Sequence, residues 1–217
     1  SFEYVQRLVG NLSQLEASGA RVIVVGIGSP ANARAFCAET SFPVEYVYAD
    51  PDAACYRALG MYQGFARDVN GVNPYAKLLA MLAGIGSPGT LQAVLRGYIG
   101  DRRKKIDTWA AQVIRLVDPE LFNILGKDYS RPFELATVRL QNMISIIPRW
   151  NDLAPVDTPE LLTQQGGTLV FDCAEARVLF AHRDSGILCY ADVEEAVAAA
   201  LQPARLKPAA SDIALHD

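Results

Sequence analysis

The chain has few of the residues from which metal sites and disulfide frameworks are built. It contains two histidines and four cysteines, and no two cysteines are spaced as C-x-x-C. Zinc sites combine such pairs with histidines at short spacing, and His182 and His216 lie too far apart for that. Four cysteines in 217 residues are also too sparse for the disulfide scaffold of a small secreted domain. The composition therefore predicts no metal site and reduced, mostly buried thiols.

The chain also lacks an excess of positive charge and any long apolar run. Its formal net charge is -4, and its only basic run is residues 102–105. We expect that run to be a solvated helix end or loop, with a patch for phosphate or anionic lipid as the alternative. No stretch approaches the roughly 20 apolar residues of a membrane span. We therefore expect no nucleic-acid partner and no transmembrane segment, while peripheral association with a membrane complex stays open.

A cofactor is not predicted either. Gly26-Ile27-Gly28 follows an apolar run and resembles the start of a dinucleotide fingerprint, but the third glycine would have to stand at Ala31. Gly28 is better interpreted as a turn glycine. No other motif in the sequence indicates a small-molecule binding domain.

What the first 60 residues do have is an alternation of helical and strand patterns. Short β-branched runs that are apolar throughout are typical of parallel strands buried on both faces. The order helix, strand, helix, strand, helix indicates an α/β fold with right-handed crossovers. The segments are a helix over 3–18, a strand over 22–25, a helix opened by Ser29 and Pro30, a strand over 43–48 and a helix over 53–59.

Residues 63–163 change to helical patterns broken by glycine and proline. Helices are predicted near 78–82, 90–98, 108–117 and 133–147. The segment is too long for a simple connection, so we interpret it as a helical, loop-rich insertion. It either covers an edge or face of the sheet or docks on a larger protein complex. The second alternative depends on its large apolar groups, Trp109, Phe122, Tyr129, Phe133, Ile146, Ile147 and Trp150.

Strand patterns return after the insertion. Residues 168–172 and 177–182, joined by a short polar segment, predict an antiparallel hairpin. Asp192 is a predicted N-cap for a helix over 193–201. Residues 203–217 contain two prolines and no clear period, and are expected to form a flexible C-terminal tail.

These segments resemble the AhpC/TSA-type peroxiredoxin-like proteins, the group that includes the peroxiredoxin-like 2 proteins and their plastid relatives. The resemblance implies a thioredoxin-like α/β fold, with a central mixed sheet flanked by helices. It places the thioredoxin-like domain at 1–62 and 164–202, lacking or preceded by its first strand. The residues that carry it are Glu3 with Leu8, Gly19, residues 22–28, Tyr48-Ala49-Asp50-Pro51 with Tyr56, Leu95-Arg96-Gly97, residues 165–172 and residues 178–184.

The family's redox cysteines are expected at the start of the first helix. Members carry a C-x-x-C there, and the register of Glu3 and Leu8 matches it if Ser1 occupies the second cysteine's position. The nucleophilic cysteine would then lie upstream of Ser1. The resemblance also implies that Gly166, Gly167 and Thr168 form a loop beside the active site, with the glycine pair replacing the cis-proline of other thioredoxin folds.

Two functions follow from the resemblance, and whether the chain is an enzyme stays open. The first is a redox protein for thiol-dependent peroxide or disulfide reduction that uses a thiol reductant. The second is a redox-inactive thioredoxin-fold subunit docked through residues 63–163 on a larger, photosynthetic or other organellar membrane complex. Family analogy favours the chloroplast, and the cytoplasm is the alternative.

The cysteines within the chain receive structural interpretations, and no catalytic residue is assigned here. Cys37 and Cys55 are expected to pack in helices, Cys173 to lie exposed at the hairpin turn and Cys189 to lie in a loop. A disulfide between Cys173 and Cys189 stays an alternative. His182 is expected to be a surface or structural residue rather than a general base.

Overall fold

The structure, a computed structural model, describes residues 2–99 and 134–202. Ser1, the basic run at 102–105, the predicted helix at 108–117 and the predicted tail at 203–217 lie outside these residues. The helices are α1 Phe2–Val9, α2 Leu12–Ala17, α3 Pro30–Thr40, α4 Ala54–Ala58, α5 Pro74–Leu82, α6 Thr90–Ile99, α7 Glu134–Ile146, α8 Trp150–Leu153 and α9 Val193–Ala200, and the strands are β1 Val24–Ile27, β2 Val47–Asp50, β3 Gly167–Asp172 and β4 Arg177–Arg183.

The N-terminal helical stretch is two helices, so the prediction of one helix over 3–18 is wrong. The break falls at Gly10 and Asn11, between α1 and α2. The Asn11 side chain donates to the Arg7 carbonyl oxygen at 3.2 Å, which competes with the helical hydrogen bonds of that turn. Gly10, before it, is the residue type with the lowest helix propensity after proline.

The first two strands are parallel, as the alternating pattern predicts. β1 pairs with β2 in the register Val24↔Val47 to Ile27↔Asp50, and α3 is the crossover between them. The predicted cap of α3 is confirmed: the Ser29 hydroxyl accepts from the Asn32 N–H, with Pro30 at the first helical position. β2 begins later than predicted because Val44–Tyr46 forms a 3-10 turn after Pro43. Proline has no N–H to contribute to a strand ladder there.

The predicted hairpin is confirmed. β3 and β4 pair antiparallel, with Thr168 opposite His182 and an irregularity between Val170 and Phe171. The turn is set by the buried Asp172, whose Oδ1 accepts from the N–H groups of Ala174 and Glu175.

The predicted cap of α9 is also confirmed, since the Asp192 side chain accepts from the first-turn N–H groups of that helix.

The two strand pairs are not joined into one sheet among the described residues, so the expected central mixed sheet is present only as its two halves. The side of β1 away from β2, and the side of β3 away from β4, have no strand partner in this part of the chain. Tyr56 spans the space between them. Its hydroxyl donates to the Val25 carbonyl oxygen at 2.6 Å, and a Cβ on Gly166 would lie 3.8 Å from its ring.

Two apolar clusters form the core, and α1 and α2 contribute to both. Val5 and Leu12 pack with Phe42 on the side of the β1–β2 pair. Leu15 packs with Val193 and Val197 of α9, which in turn lies on β3 and β4. Burial of such side chains is worth about 1.5–3 kcal/mol each. The helix pair therefore connects the two strand pairs.

The described residues between 63 and 163 form helices and turns without a strand. α5 packs on the 3-10 turn Pro159–Thr163, and α6 packs on α7. No described helix is long and apolar enough to cross a membrane. The boundaries of the proposed insertion stay a prediction.

Three polar links join α7 and the turn after it to the N-terminal helices. Arg139 Nε lies 2.8 Å from Glu3 Oε2, with the two side chains 16% and 11% exposed. Arg139 also donates to the Ala93 carbonyl oxygen of α6. The other links are a reciprocal amide pair between Gln6 and Asn142, and the contacts of Ser145 and Arg149 with Glu39 on α3.

We expect Arg139 and Glu3 to be energetically coupled. Each of Arg139→Gln and Glu3→Gln should lower the free energy of unfolding by about 2 kcal/mol, because each leaves a charge largely buried without its partner. The double variant should lower the free energy of unfolding by less than the sum of the two single variants, with a difference of about 1 kcal/mol or more. Urea denaturation of the four proteins measures this. Arg7→Gln, which breaks an exposed pair with Glu194, is the control and should change stability by under about 0.5 kcal/mol. Additive costs at Arg139 and Glu3 would contradict the expectation.

Candidate functional site

Polar side chains from β3, from the residue after β4 and from the loop before α9 converge on the first turn of α1. Tyr4 is in that turn, and its hydroxyl accepts a hydrogen bond from Thr168 Oγ1 of β3 at 2.8 Å. The ring of Tyr190, in the loop before α9, lies 6.0 Å from the Tyr4 ring. Asp184, directly after β4, acts electrostatically on both tyrosines and on Tyr56 of α4. We define Tyr4, Tyr56, Thr168, Asp184 and Tyr190 as the polar cluster.

The loop that the resemblance placed beside the active site leads directly into this cluster. Gly166 accepts a hydrogen bond from the Asp184 N–H at 3.0 Å, and Thr168 contacts Tyr4. Gly167 lies between them in a place with no room for a side chain. A Cβ there would meet the His182 carbonyl oxygen and lie 2.8 Å from the sulfur of Met61. Ser1, the other predicted position, lies outside the described residues.

Asp184 is the buried acid of the site. Its side chain is 9% exposed, and in the described part of the chain its carboxylate oxygens have one polar contact, with His182 Nε2 at 3.4 Å. Burial raises the pKa of Asp184 to about 6, because the charged form loses solvation that the neighbouring imidazole replaces only in part. The group therefore changes charge near neutral pH.

His182 is held by the loop that follows it. Its Nε2 lies 2.7 Å from the Cys189 carbonyl oxygen, which can only accept, so Nε2 carries the proton. The Asp184 carboxylate lies farther from the same nitrogen, at 3.4 Å. The role of His182 seen here is structural, as the sequence suggested.

The tyrosines of the cluster are neutral hydrogen-bonding groups. Burial raises the pKa of Tyr4, Tyr56 and Tyr190, and the negative charge of Asp184 raises each of them further. Their hydroxyl protons therefore stay in place across the range in which Asp184 titrates. Glu3 also raises the pKa of Tyr190 while Arg139 lowers it, so that ion pair lies close to the cluster.

The cysteines of the chain lie outside this cluster, and all four thiols are free. Cys37 is buried as predicted, and burial raises the pKa of its thiol, which keeps it in the unreactive protonated form. Cys173 is exposed at the hairpin turn and forms no disulfide with Cys189. Within 2–99 and 134–202, no group of three or more His, Cys, Asp or Glu side chains is arranged to hold a metal ion.

Sequence patterns did not single out Asp184, Tyr190 or Arg139 as site residues. Asp184 ends the stretch 178–184 and Arg139 stands within a predicted helix, and no motif marks either position. The one local signal was an acidic residue directly after an apolar strand. Its burial follows from α1 and α4, which are more than 100 positions away in the sequence.

A comparison with protein families matches the chain to the family described as AhpC/TSA antioxidant enzyme. The match covers residues 7–186 and so includes the middle of the chain as well as the flanking segments. Neither the comparison with curated proteins nor that with solved structures finds a match.

The glycine pair allows a test of the close packing beside α1. We expect Gly167→Ala to lower the free energy of unfolding by about 2 kcal/mol, because the added methyl group overpacks against the His182 carbonyl and Met61. Gly166→Ala is the matched control. Its Cβ would have ordinary contacts, 3.5 Å from Asp184 Oδ2 and 3.8 Å from Tyr56, and should cost under about 0.5 kcal/mol. Equal denaturation midpoints for the two variants would contradict this packing.

The raised pKa of Asp184 predicts a pH dependence of stability. The folded state binds the proton of the Asp184 carboxyl group more tightly than the unfolded state does. The resulting stabilisation is complete below about pH 4 and is lost as the pH rises through 6. Between pH 4 and 7, the unfolding free energy of the parent chain should therefore fall by about 2 kcal/mol relative to Asp184→Asn. Denaturation at several pH values measures the difference. Asp68→Asn, at an exposed position, should leave the pH profile of the parent unchanged.

Proposed function

The chain belongs to the AhpC/TSA antioxidant-enzyme family, and from this premise we propose that it is a thiol-dependent redox protein whose nucleophilic cysteine lies upstream of Ser1. The family match supports a peroxiredoxin-like or thioredoxin-fold redox function. In the proposed reaction a thiolate attacks a peroxide, and the resulting sulfenic acid is reduced by a second thiol.

The observation that carries the proposal is the pair of open strand edges beside α1. β1 and β3 each lack a partner on one side among the described residues, and Tyr56 spans the space between them. One extended segment placed there would offer backbone partners to the open edges of both strands and join the two pairs into one mixed sheet. The segment that leads into α1 is the natural candidate.

A cysteine at the end of that segment would lie at the N-terminus of α1. Backbone N–H groups and the positive end of the helix dipole favour a thiolate there. The polar cluster and the Glu3–Arg139 pair surround the same turn, so the reacting sulfur would be placed among buried hydrogen-bonding groups. Ser1 at the second C-x-x-C position has a hydroxyl that forms no disulfide, and the proposal therefore includes a partner thiol as reductant.

A second candidate is a redox-inactive subunit that docks on a larger, organellar membrane complex, with the chloroplast as the compartment suggested by family analogy. The observation that favours docking is a set of large apolar side chains left exposed between 63 and 163. Such surfaces commonly mark interfaces. The set includes Leu79, Leu82, Leu91, Leu95, Ile144 and Ile147.

The natural full-length protein decides between the two candidates. We expect a cysteine three residues before Ser1, and expect its replacement by serine to abolish peroxide consumption. Cys37→Ser and Cys173→Ser should retain the parent rate within about twofold, since one thiol is buried and the other lies at the far end of the hairpin. Peroxide consumption with a dithiol reductant is the measurement.

Absence of that upstream cysteine, or full activity after its replacement, would contradict the redox proposal. Native mass spectrometry of the complex purified from its source then tests the second candidate. A stable assembly that is lost on Leu79→Lys and Ile144→Lys, with the fold retained, would support docking through this surface.

A further inference from the structure

Asp184 is a buried acidic group next to the proposed reaction centre, and the thiol chemistry described above gives it no part. We infer that Asp184 is the proton-transfer group of the site, which takes the proton from the reacting thiol and returns it to the leaving oxygen of the peroxide. This inference rests on the proposed function.

The position of Asp184 follows from the hairpin. Its N–H donates to the Gly166 carbonyl oxygen at 3.0 Å, which extends the β3–β4 pairing by one step beyond Gly167 and Arg183. Thr168, two residues further along β3, donates to the Tyr4 hydroxyl in the first turn of α1. Asp184 therefore lies at the end of the hairpin that faces the start of α1, where its charge acts on Tyr4.

Three of the described groups around Asp184 keep their protons near neutral pH. Tyr4 from α1, Tyr56 from α4 and Tyr190 from the following loop all have raised pKa values and keep their protons. The Nε2–H of His182 is already donated to the Cys189 carbonyl oxygen. Glu3 is paired with Arg139. A group with a pKa of about 6 both accepts and donates a proton efficiently near neutral pH.

The proton and electron balance of the step is complete with a peroxide as oxidant. The Asp184 carboxylate accepts the thiol proton, and the thiolate attacks one peroxide oxygen. The S–O bond forms as the O–O bond breaks, so sulfur is oxidised by two electrons and the peroxide is reduced. The departing hydroxide takes the proton back from the Asp184 carboxyl group. Thiol and hydrogen peroxide thus give sulfenic acid and water, and the carboxylate is regenerated.

The test measures the rate of thiol oxidation by hydrogen peroxide in the full-length protein from pH 5 to 8. We expect Asp184→Asn to lower the rate constant about 100-fold at neutral pH and to abolish the limb of the profile with a midpoint near 6. Asp184→Glu, which keeps a carboxyl group, should recover part of the rate with a shifted midpoint. Asp172→Asn, a buried acid at the opposite end of the same hairpin, is the matched control and should follow the parent profile.

The outcomes separate this inference from the function on which it rests. A parent protein that does not react with peroxide overturns the proposed function, and the inference with it. A reactive parent whose rate and pH profile are unchanged in Asp184→Asn overturns the inference alone. If that variant unfolds, carbon-13 NMR titration of the Asp184 carboxyl in the parent decides instead. A midpoint near 6 supports proton transfer near neutral pH, and one near 4 overturns it.

Discussion

The packing of α1 and α2 between two small strand pairs is the interaction on which the rest of the structure depends. Leu8 of α1 contacts both apolar clusters, one on the β1–β2 side and one against α9. The two strand pairs share no backbone ladder in the described part of the chain. Their relative placement is therefore maintained by side-chain burial on the two helices, and by Tyr56 between the strand edges.

The polar cluster is a consequence of that arrangement. Because α1 begins where the two strand pairs approach each other, its first turn meets the end of the β3–β4 hairpin and the loop before α9. Hydroxyl and carboxyl groups in such a place lose solvent and must find partners within the protein. Thr168 donates to the Tyr4 hydroxyl, whereas the Asp184 carboxylate, among the described residues, has one polar contact, with the His182 imidazole at 3.4 Å. Burial raises the pKa of Asp184 to about 6, which suits it to proton transfer near neutral pH.

The helices between 63 and 163 contribute to the same region rather than forming a separate attachment. Arg139 of α7 reaches Glu3 in the first turn of α1, and Ser87 and Thr90 hydrogen-bond to Ile187 in the loop after β4. The family match also runs through this segment. Both the environment of α1 and the loop that holds His182 thus depend on residues that the sequence pattern had set apart as an insertion.

Neighbouring residues are enough to encode the cap of α3 at Ser29, the hairpin turn at Asp172, and the α/β order with its family resemblance. Which side chains meet at the site depends instead on contacts between distant parts of the chain. Tyr4 and Thr168 are 164 positions apart and Glu3 and Arg139 are 136 apart, and no local pattern encodes such a pairing. Local sequence does not predict the raised pKa of Asp184 either, because desolvation depends on all the elements that surround a group.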